Sequence, residues 1–218
     1  MPTKTVIGII LSGRGSNMQA IVDAINAGRL TNAKVGVIIS DNPNANALTR
    51  LPASDIPRVC IERENFKDKM SFEKELIKEL RIHHVELVVL AGFMRILSGE
   101  FINEFNGNVM NIHPSLLPAF SGLKAQEQTL NYGVKVSGCT VHFVDDGMDT
   151  GPVILQQAVP VLENDTVESL SERILHIEHI LYPRAISLFC EGRLKVANRK
   201  VQILENPEKK QTVIKEPI

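Results

Sequence analysis

The sequence has no tryptophan, and aromatic residues make up only 5% of its 218 residues. Proteins that bind single-stranded nucleic acid stack bases on aromatic side chains, so this composition argues against such a partner. The formal net charge is -1, which means that no excess of positive charge attracts the chain to nucleic acid or to an anionic membrane surface. We therefore expect a soluble protein that binds small molecules, with no nucleic acid and no membrane among its partners.

Cysteine is also scarce. The three cysteines, Cys60, Cys139 and Cys190, are far apart, and none of them belongs to a C-x-x-C motif. An odd number of distant cysteines does not fit a disulfide scaffold or a zinc site, and it suits the reducing cytosol. Long hydrophobic runs are absent as well, because the first apolar run reaches Gly13 too early for a secretory signal and is too short to cross a membrane. We therefore predict a cytoplasmic protein without a bound metal.

What the sequence does contain is a regular alternation of two patterns. Short apolar, β-branched runs predict strands over 5–11, 33–40, 58–61, 86–90 and 108–112, and then over 138–144 and 152–161. Helical spacing of apolar residues predicts helices over 18–27, 71–82 and 165–190. This order is typical of an α/β fold. We predict a Rossmann-like, mostly parallel sheet with helices on both faces and mixed strands in the C-terminal half.

The last predicted helix marks the end of the predicted domain. Asp165 and Glu168 have the spacing of a capping box at its start, and Gly192 follows its last residue, Cys190. Beyond Leu194 the periodic pattern weakens, and no internal repeat or boundary divides the chain before that point. We predict a single domain over 1–194 and a C-terminal extension over 195–218 that is partly mobile.

A glycine-rich turn, SGRGSN, separates the first predicted strand from the first predicted helix. Backbone N–H groups at the start of a helix bind anions, and glycine lets a ligand approach them closely. Gly13, Gly15, Ser16 and Asn17 are therefore candidates for a phosphate site, although the same residues also fit a tight turn without a ligand. Position 18 is methionine where the dinucleotide fingerprint needs glycine, and no Gly-Lys-Ser/Thr follows, so an NAD site and a P-loop are both disfavoured.

The segment VMNIHPSLLP carries the strongest candidates for catalysis. Side chains alternate along a strand, so Asn111 and His113 share one face where the fifth predicted strand ends. Pro114 cannot extend a sheet ladder, and the ligands of open α/β sheets bind at the carboxyl ends of the strands. Asp149 belongs to the loop DDGMDTG, which can return to the same edge of the sheet.

These three residue types suit acyl transfer without a covalent enzyme intermediate. A carboxylate beside an imidazole favours the charged ring and passes protons through water, while an Asn amide adds a second donor for an oxyanion. No G-x-S-x-G motif supplies a serine nucleophile. Taken alone, Asn-x-His also fits a core histidine and a loop-capping asparagine. The adjoining Ser-Leu-Leu-Pro and the acidic loop favour the catalytic interpretation.

Two further polar residues interrupt apolar patterns. His142 alternates with apolar neighbours inside a predicted strand, and we expect it to be structural. Glu178 falls on the apolar stripe of the last helix, where a carboxylate needs a partner. Either Arg173 or Arg184 pairs with it, or it receives the ammonium or other polar groups of a substrate. The spacing leaves both interpretations open.

Five segments, in this order, resemble one family of enzymes: SGRGSN, LAGFMRILS, NIHPSLLP, GCTVHFVDDGMDTGPVILQ and the Glu-His pair of the last helix. They are similar to the glycinamide ribonucleotide transformylases, which are folate-dependent formyltransferases, over nearly the whole chain up to Leu194. The resemblance implies transfer of a formyl group from the co-substrate 10-formyltetrahydrofolate to the amine of glycinamide ribonucleotide in purine (IMP) biosynthesis. It implies no metal.

The resemblance also implies roles for individual residues. Asn111, His113 and Asp149 would be catalytic, and Glu178 would bind the glycinamide end of the ribonucleotide. The phosphate of the ribonucleotide would be held by Gly15, Ser16 and Asn17. The folate would contact Lys69, Met94, Arg95, Ile96, Leu97, Asn111, Asp145, Asp146, Gly147, Met148 and Asp149.

Three alternatives stand beside this assignment. Methionyl-tRNA formyltransferases resemble the chain but add a C-terminal domain for tRNA, and a tRNA partner favours a basic protein. Formyltetrahydrofolate hydrolases resemble it but add an N-terminal regulatory domain, whereas the first predicted strand here begins at residue 5. A nucleotide-binding regulator is the non-enzyme alternative, which the presence of Asn111, His113 and Asp149 disfavours. Relatives imply a monomer or a homodimer.

Overall fold

The computed structural model of the protein describes residues 3–50 and 55–205. Within these ranges one sheet contains β1 (Thr5–Leu11), β2 (Ala33–Ser40), β3 (Arg58–Cys60), β4 (Leu87–Leu90), β5 (Val109–His113), β6 (Val136–Phe143), β7 (Val153–Pro160), β8 (Leu194–Ala197) and β9 (Lys200–Ile203). The helices are α1 (Ser16–Asn26), α2 (Ala47–Arg50), α3 (Lys69–Ile82), α4 (Gly99–Glu104), α5 (Ala125–Tyr132) and α6 (Val167–Cys190). Among the described residues, no helix is both long and apolar enough to cross a membrane.

The sheet combines a parallel half with an antiparallel half. Its strand order is β3-β2-β1-β4-β5-β6-β7-β9-β8. The strands from β1 to β5 pair in parallel, and β6 pairs antiparallel with both β5 and β7. The predicted fold class is confirmed, including the mixed strands of the C-terminal half. Chain order reverses at β1, which has β2 on one side and β4 on the other, and open α/β sheets bind ligands at such a reversal.

The central strands are apolar throughout because helices cover both faces of the sheet. Along β1, Ile7 and Ile9 face the core that includes side chains of α1 and α6. Val6 and Ile10 point to the opposite face, into the core formed with α3 and α4. Each fully buried aliphatic side chain contributes about 1.5–3 kcal/mol, so the runs that predicted the strands also hold the sheet between its helix layers.

The N-cap of helix α6 lies one residue after Asp165, the predicted cap. Thr166 is the N-cap, and its side chain and that of Ser169 exchange hydrogen bonds with each other's backbone N–H groups. The predicted capping box of Asp165 and Glu168 is therefore wrong. Asp165 is already engaged, because its carboxylate binds the Arg173 guanidinium at 2.7 Å and accepts from the backbone N–H of Leu162. The predicted end at Cys190 is confirmed.

The chain after Leu194 contains an element that the sequence analysis did not predict. β8 and β9 form an antiparallel hairpin, and β9 joins the sheet through Val153 of β7. These two strands are short and largely exposed, so they lack the apolar pattern that predicts a strand. Residues 195–203 of the predicted extension therefore belong to the sheet, and residues 206–218 lie outside the described part of the chain.

Candidate active site

A cavity of about 890 Å³ opens at the carboxyl ends of β1, β4 and β5. Its walls are the turn after β1, the loop after β4, part of β5 and β6, two loops over 122–126 and 144–149, and one face of α6. Most of the predicted site residues line it: Gly13, Gly15, Ser16, Asn17, Met94, Arg95, Ile96, Leu97, Asn111, His113, Asp145, Gly147, Met148, Asp149 and Glu178. Two predicted folate contacts, Lys69 and Asp146, are not part of the lining. The structure thus brings together segments that are as far apart in sequence as the first turn and the last long helix.

The predicted catalytic residues meet in the middle of this cavity. His113 is buried, and its Nδ1 lies 3.2 Å from Asp149 Oδ2. The other ring nitrogen, Nε2, lies 2.9 Å from the carbonyl oxygen of Phe120. Both neighbours are hydrogen-bond acceptors, and the ring satisfies both at once only when both nitrogens carry hydrogen, as in the imidazolium form. The arrangement therefore places an acceptor beside each ring nitrogen of His113.

The loops beside His113 are fixed by local hydrogen bonds. Thr140 on β6 lies opposite His113, and its hydroxyl donates to the Ser115 carbonyl at 2.7 Å and accepts from the Leu117 N–H at 3.0 Å. Asp149 has the left-handed backbone angle φ 55°, and its Oδ2 accepts from the backbone N–H of Gly122 at 2.8 Å. These hydrogen bonds hold Asp149 in its loop and hold Ser115 and Leu117, which precede Phe120, against β6.

His142, which we expected to be structural, lies in the cavity wall against two of these residues. Its Nε2 is 3.3 Å from Asn111 Nδ2 and 3.7 Å from Asp149 Oδ1. Burial lowers the pKa of His142, and the Phe143 carbonyl and the Asp149 charge oppose that effect. The sequence offered no signal for this position, because a histidine between apolar residues in a strand is typical of a core residue. Only the pairing of β6 with β5 brings it beside Asn111.

One end of the cavity is polar and buried. Asn17 Nδ2 donates to Glu178 Oε2 at 2.7 Å, across 161 residues of sequence. Both side chains are buried, and burial raises the pKa of Glu178 despite the opposing hydrogen bond from Asn17. Arg173 is not the partner of Glu178, because it binds Asp165. Among the described residues Asn17 Oδ1 is buried and has no hydrogen-bond partner, and Glu178 lines the cavity with it.

The start of α1 adds positive electrostatic potential to the same end. Gly15 is its N-cap with φ 72°, and within the described chain no side chain caps this helix. A Cβ at Gly15 would lie 2.5 Å from the Cβ of Ala47, so only glycine fits the position. The backbone N–H groups of the first turn are therefore available to an anion. Because its side chain is bound to Glu178, Asn17 contributes to such a site through its backbone.

The other end of the cavity is apolar and exposed. Met94 is 65% exposed, Ile96 50%, Met148 50% and Leu123 70%, and all four line the cavity. Four large apolar side chains exposed around one concave site are the feature expected of a pocket for an apolar or aromatic ligand.

Polar contacts beneath this apolar surface hold the loop that carries Met94 and Ile96. Glu73, which is buried on α3, accepts from the Ser98 N–H at 2.9 Å. Asp41, which is buried at the end of β2, binds Arg95 Nε at 2.5 Å. From the sequence, Asp41 is a possible ribose-binding acid that is discounted together with NAD, and Glu73 gives no signal. Lys69, which does not line the cavity, lies 3.8 Å from Glu73.

Comparison with known proteins relates this geometry to one family. The formyl transferase family model matches residues 5–186. Phosphoribosylglycinamide formyltransferase of Bacillus subtilis is 43% identical over 178 residues, which cover 82% of this chain and 91% of that protein. The crystal structure of glycinamide ribonucleotide transformylase 1 from Symbiobacterium toebii superposes with a TM-score of 0.91 at 47% identity, covering 94% of this chain and 96% of that one.

Longer proteins also contain a region similar to this chain. Trifunctional purine biosynthetic protein adenosine-3 of Chironomus tentans is 42% identical over 197 residues, which are 90% of this chain. The chain spans only 14% of the length of that protein. The region that the family model matches, residues 5–186, contains every residue that lines the cavity. The chain therefore belongs to the formyl transferase family.

Proposed function

We propose that the protein transfers the formyl group of 10-formyltetrahydrofolate to the amine of glycinamide ribonucleotide, a step of purine biosynthesis. The observation that carries this proposal is that Asn111, His113 and Asp149 line one cavity together with the polar pair Asn17–Glu178 and with four exposed apolar side chains. An enzyme that joins two different substrates needs one site for each, with the reacting groups meeting between them. Family membership and the names of the relatives support the same reaction.

In this proposal the ribonucleotide occupies the polar end. Its phosphate binds the backbone N–H groups at the start of α1, where Gly15, Ser16 and Asn17 line the cavity. Its glycinamide group donates hydrogen bonds to the carboxylate of Glu178, which lines the cavity and accepts from Asn17 Nδ2. The folate lies along Met94 to Leu97 and Met148, whose exposed apolar side chains match a flat aromatic ring.

The transfer then takes place between the two ends. The amine nitrogen attacks the formyl carbon, and the formyl oxygen becomes an oxyanion that accepts from His113 and from the amide of Asn111. A proton passes from the attacking amine, through Asp149 and water, to the folate nitrogen. The bond between the formyl carbon and that nitrogen breaks, which leaves formylated ribonucleotide and tetrahydrofolate. Side chains and water supply every charge and proton in these steps, so the proposed mechanism requires no metal.

The Phe120 carbonyl must leave His113 before this reaction starts. It accepts the Nε2 hydrogen of His113 at 2.9 Å, which is the hydrogen that the oxyanion needs. We propose that the formyl oxygen replaces the Phe120 carbonyl when substrate enters. The acceptor at Nδ1, Asp149, stays in place and keeps the ring oriented.

The proposed function also leads us to propose where the protein is located and how many copies form the active unit. The three cysteines are free, which agrees with a cytoplasmic protein. Cys139 is buried and Cys190 is half-buried, and burial raises the pKa of Cys139 to about 12 and that of Cys190 to about 11. The partners that we propose are the two small-molecule substrates, and the proposed active unit is a monomer or a homodimer.

A coupled absorbance assay tests the function directly. The protein receives 10-formyltetrahydrofolate with and without glycinamide ribonucleotide, alongside His113→Ala and the control His176→Ala, which changes an exposed histidine on α6. We expect loss of the formyl folate only with ribonucleotide, in the unaltered protein and in His176→Ala. Equal loss without ribonucleotide would support the hydrolase, and no loss in any cuvette would overturn the proposal.

A further inference from the structure

The antiparallel pairing of β5 with β6 sets His142 directly opposite Asn111. Residues opposite each other on one face of a sheet form close side-chain pairs. Here His142 Nε2 lies 3.3 Å from Asn111 Nδ2. The contact links a residue of the proposed oxyanion site to a histidine that no step of the mechanism uses.

The surroundings of His142 determine which of its nitrogens carries hydrogen. Its Nδ1 lies 2.8 Å from the carbonyl oxygen of Phe143, and a carbonyl only accepts, so Nδ1 carries the hydrogen. The ring is buried, which lowers the pKa of His142 and favours the neutral form. In a neutral ring with hydrogen on Nδ1, the other nitrogen, Nε2, is an acceptor.

This tautomer determines the orientation of the Asn111 amide. An acceptor at His142 Nε2 binds the NH₂ group of Asn111 and disfavours its carbonyl oxygen. One N–H of Asn111 then points to His142, and the second N–H remains for a ligand in the cavity. Without the acceptor, the amide turns over at little steric cost, because its oxygen and nitrogen are nearly the same size. The turned amide would present a carbonyl oxygen to the oxyanion.

We propose that His142 is a positioning residue that holds the Asn111 amide with an N–H toward the formyl oxygen. The inference rests on the proposed function for the identity of that oxygen, whereas the His142–Asn111 contact stands without it. Charged groups near His142 offer a competing arrangement. Asp149 Oδ1 lies 3.7 Å from Nε2, and a doubly protonated His142 would pair with Asp149 and repel the Asn111 NH₂ group.

Two amide substitutions distinguish these arrangements. Glutamine reaches the position of a histidine Nε2 and offers an oxygen acceptor there, whereas asparagine reaches only the position of Nδ1. We expect His142→Asn to lower kcat about 30-fold and to change either KM less than about threefold, because the binding ends of the cavity are untouched. We expect His142→Gln to lower kcat by only about threefold, because the acceptor is restored. Equal losses in the two variants, both with native thermal melting, would overturn the proposal.

A double-mutant cycle tests whether His142 acts through Asn111. In the Asn111→Ala background we expect His142→Asn to lower kcat less than about twofold further, because no amide is left to orient. A further loss as large as in the unaltered background would show an independent role for His142 and overturn the proposal.

The tautomer itself is measured without turnover. In protein labelled with ¹⁵N-histidine, long-range ¹H–¹⁵N NMR spectra at neutral pH should show His142 neutral with hydrogen on Nδ1, and His142→Asn should shift the Asn111 side-chain amide signals. A ring with hydrogen on Nε2, or a doubly protonated ring, would overturn the proposal. If the unaltered protein does not transfer formyl groups, the proposed function fails, and these spectra alone decide whether His142 orients Asn111.

Discussion

At one end of the cavity the lining side chains are polar and buried, whereas at the other end they are apolar and exposed. Asn17 and Glu178 are 9% and 6% exposed and bind each other, while Met94 and Ile96 are 65% and 50% exposed. A buried carboxylate discriminates strongly, because a ligand without the matching donor leaves it unsatisfied. Exposed apolar side chains discriminate by shape and area and tolerate more variation. We therefore expect the polar end to carry the stricter specificity.

The predicted catalytic residues belong to neither group of side chains, and changing them should have the largest effect. Asp149→Asn keeps the size of the side chain and tolerates the left-handed backbone at φ 55°, but it removes the charge beside His113. We expect kcat to fall about 1000-fold, by analogy with the loss of an aspartate that orients a catalytic histidine. Both KM values should change little. Steady-state kinetics measure kcat and the two KM values separately. A rise in one KM with kcat preserved would mean that Asp149 binds that substrate and does not take part in the reaction.

Glu178→Gln should weaken the polar end and stabilise the fold. We expect the KM for the ribonucleotide to rise about 30-fold, since hydrogen bonds to a charged group contribute about 1.5–3 kcal/mol, while the KM for the folate is unchanged. Initial rates with each substrate varied in turn measure this. The control is Glu163→Gln, whose effect should be smaller because Glu163 is exposed just before α6 and does not line the cavity.

The stability of Glu178→Gln should depend on pH. Because burial raises the pKa of Glu178, its contribution to stability is present at low pH and is lost as the pH rises through the folded-state pKa. The variant should therefore unfold at a higher temperature than the unaltered protein at pH 8, with the gain disappearing below about pH 4. An equal gain at both pH values would contradict the buried-charge explanation.

Ile96→Ser should weaken the apolar end alone. Losing the burial of its side chain by the folate costs about 1.5 kcal/mol, which corresponds to about a tenfold rise in the KM for the folate. Ile82→Ser is the matched control, because Ile82 is 57% exposed at the end of α3 and does not line the cavity. A similar effect in both variants would mean that general destabilisation, and not the apolar surface, is being measured.

Glu73→Ala should have the smallest effect on catalysis and tests the support beneath the apolar end. Loss of its hydrogen bond to the Ser98 N–H should loosen the loop from Met94 to Leu97 and raise the KM for the folate about threefold. Leaving that N–H without its partner should also cost about 1–3 kcal/mol of unfolding free energy. Urea unfolding and folate titration measure the two effects, and Glu75→Ala on the same helix, where Glu75 binds Lys78, serves as the control.

Much of the fold could be predicted from local sequence patterns. The runs that became β1 and β2 were predicted with the bounds that the structure has, because strands buried on both faces are apolar throughout. The hairpin of β8 and β9 was missed, because its strands are only four residues long and largely exposed. The cap of α6 was misplaced by one residue, because Asp165 was already committed to Arg173.

The candidate site could be predicted in part. Asn111 and His113 were found because alternation along a strand is a local property, and the structure brings Asp149 to His113. His142 and Glu73 were not found, because their neighbours in sequence are those of ordinary strand and helix residues, and Asp41 was discounted together with an NAD site. Their contacts are with residues 25 to 54 positions away. The catalytic and binding roles of all these residues remain predictions.

The sequence by itself determined which segments form strands and helices, which faces of them are apolar and which turn carries the glycines, because hydrophobic period and backbone freedom act over a few residues. Only the tertiary structure decided that Asn17 meets Glu178, that Asn111 meets His142, and that the four exposed apolar side chains surround one cavity. These contacts depend on strand order, on register and on the return of loops. A shift of one residue between β5 and β6 would separate Asn111 from His142 without changing any local pattern.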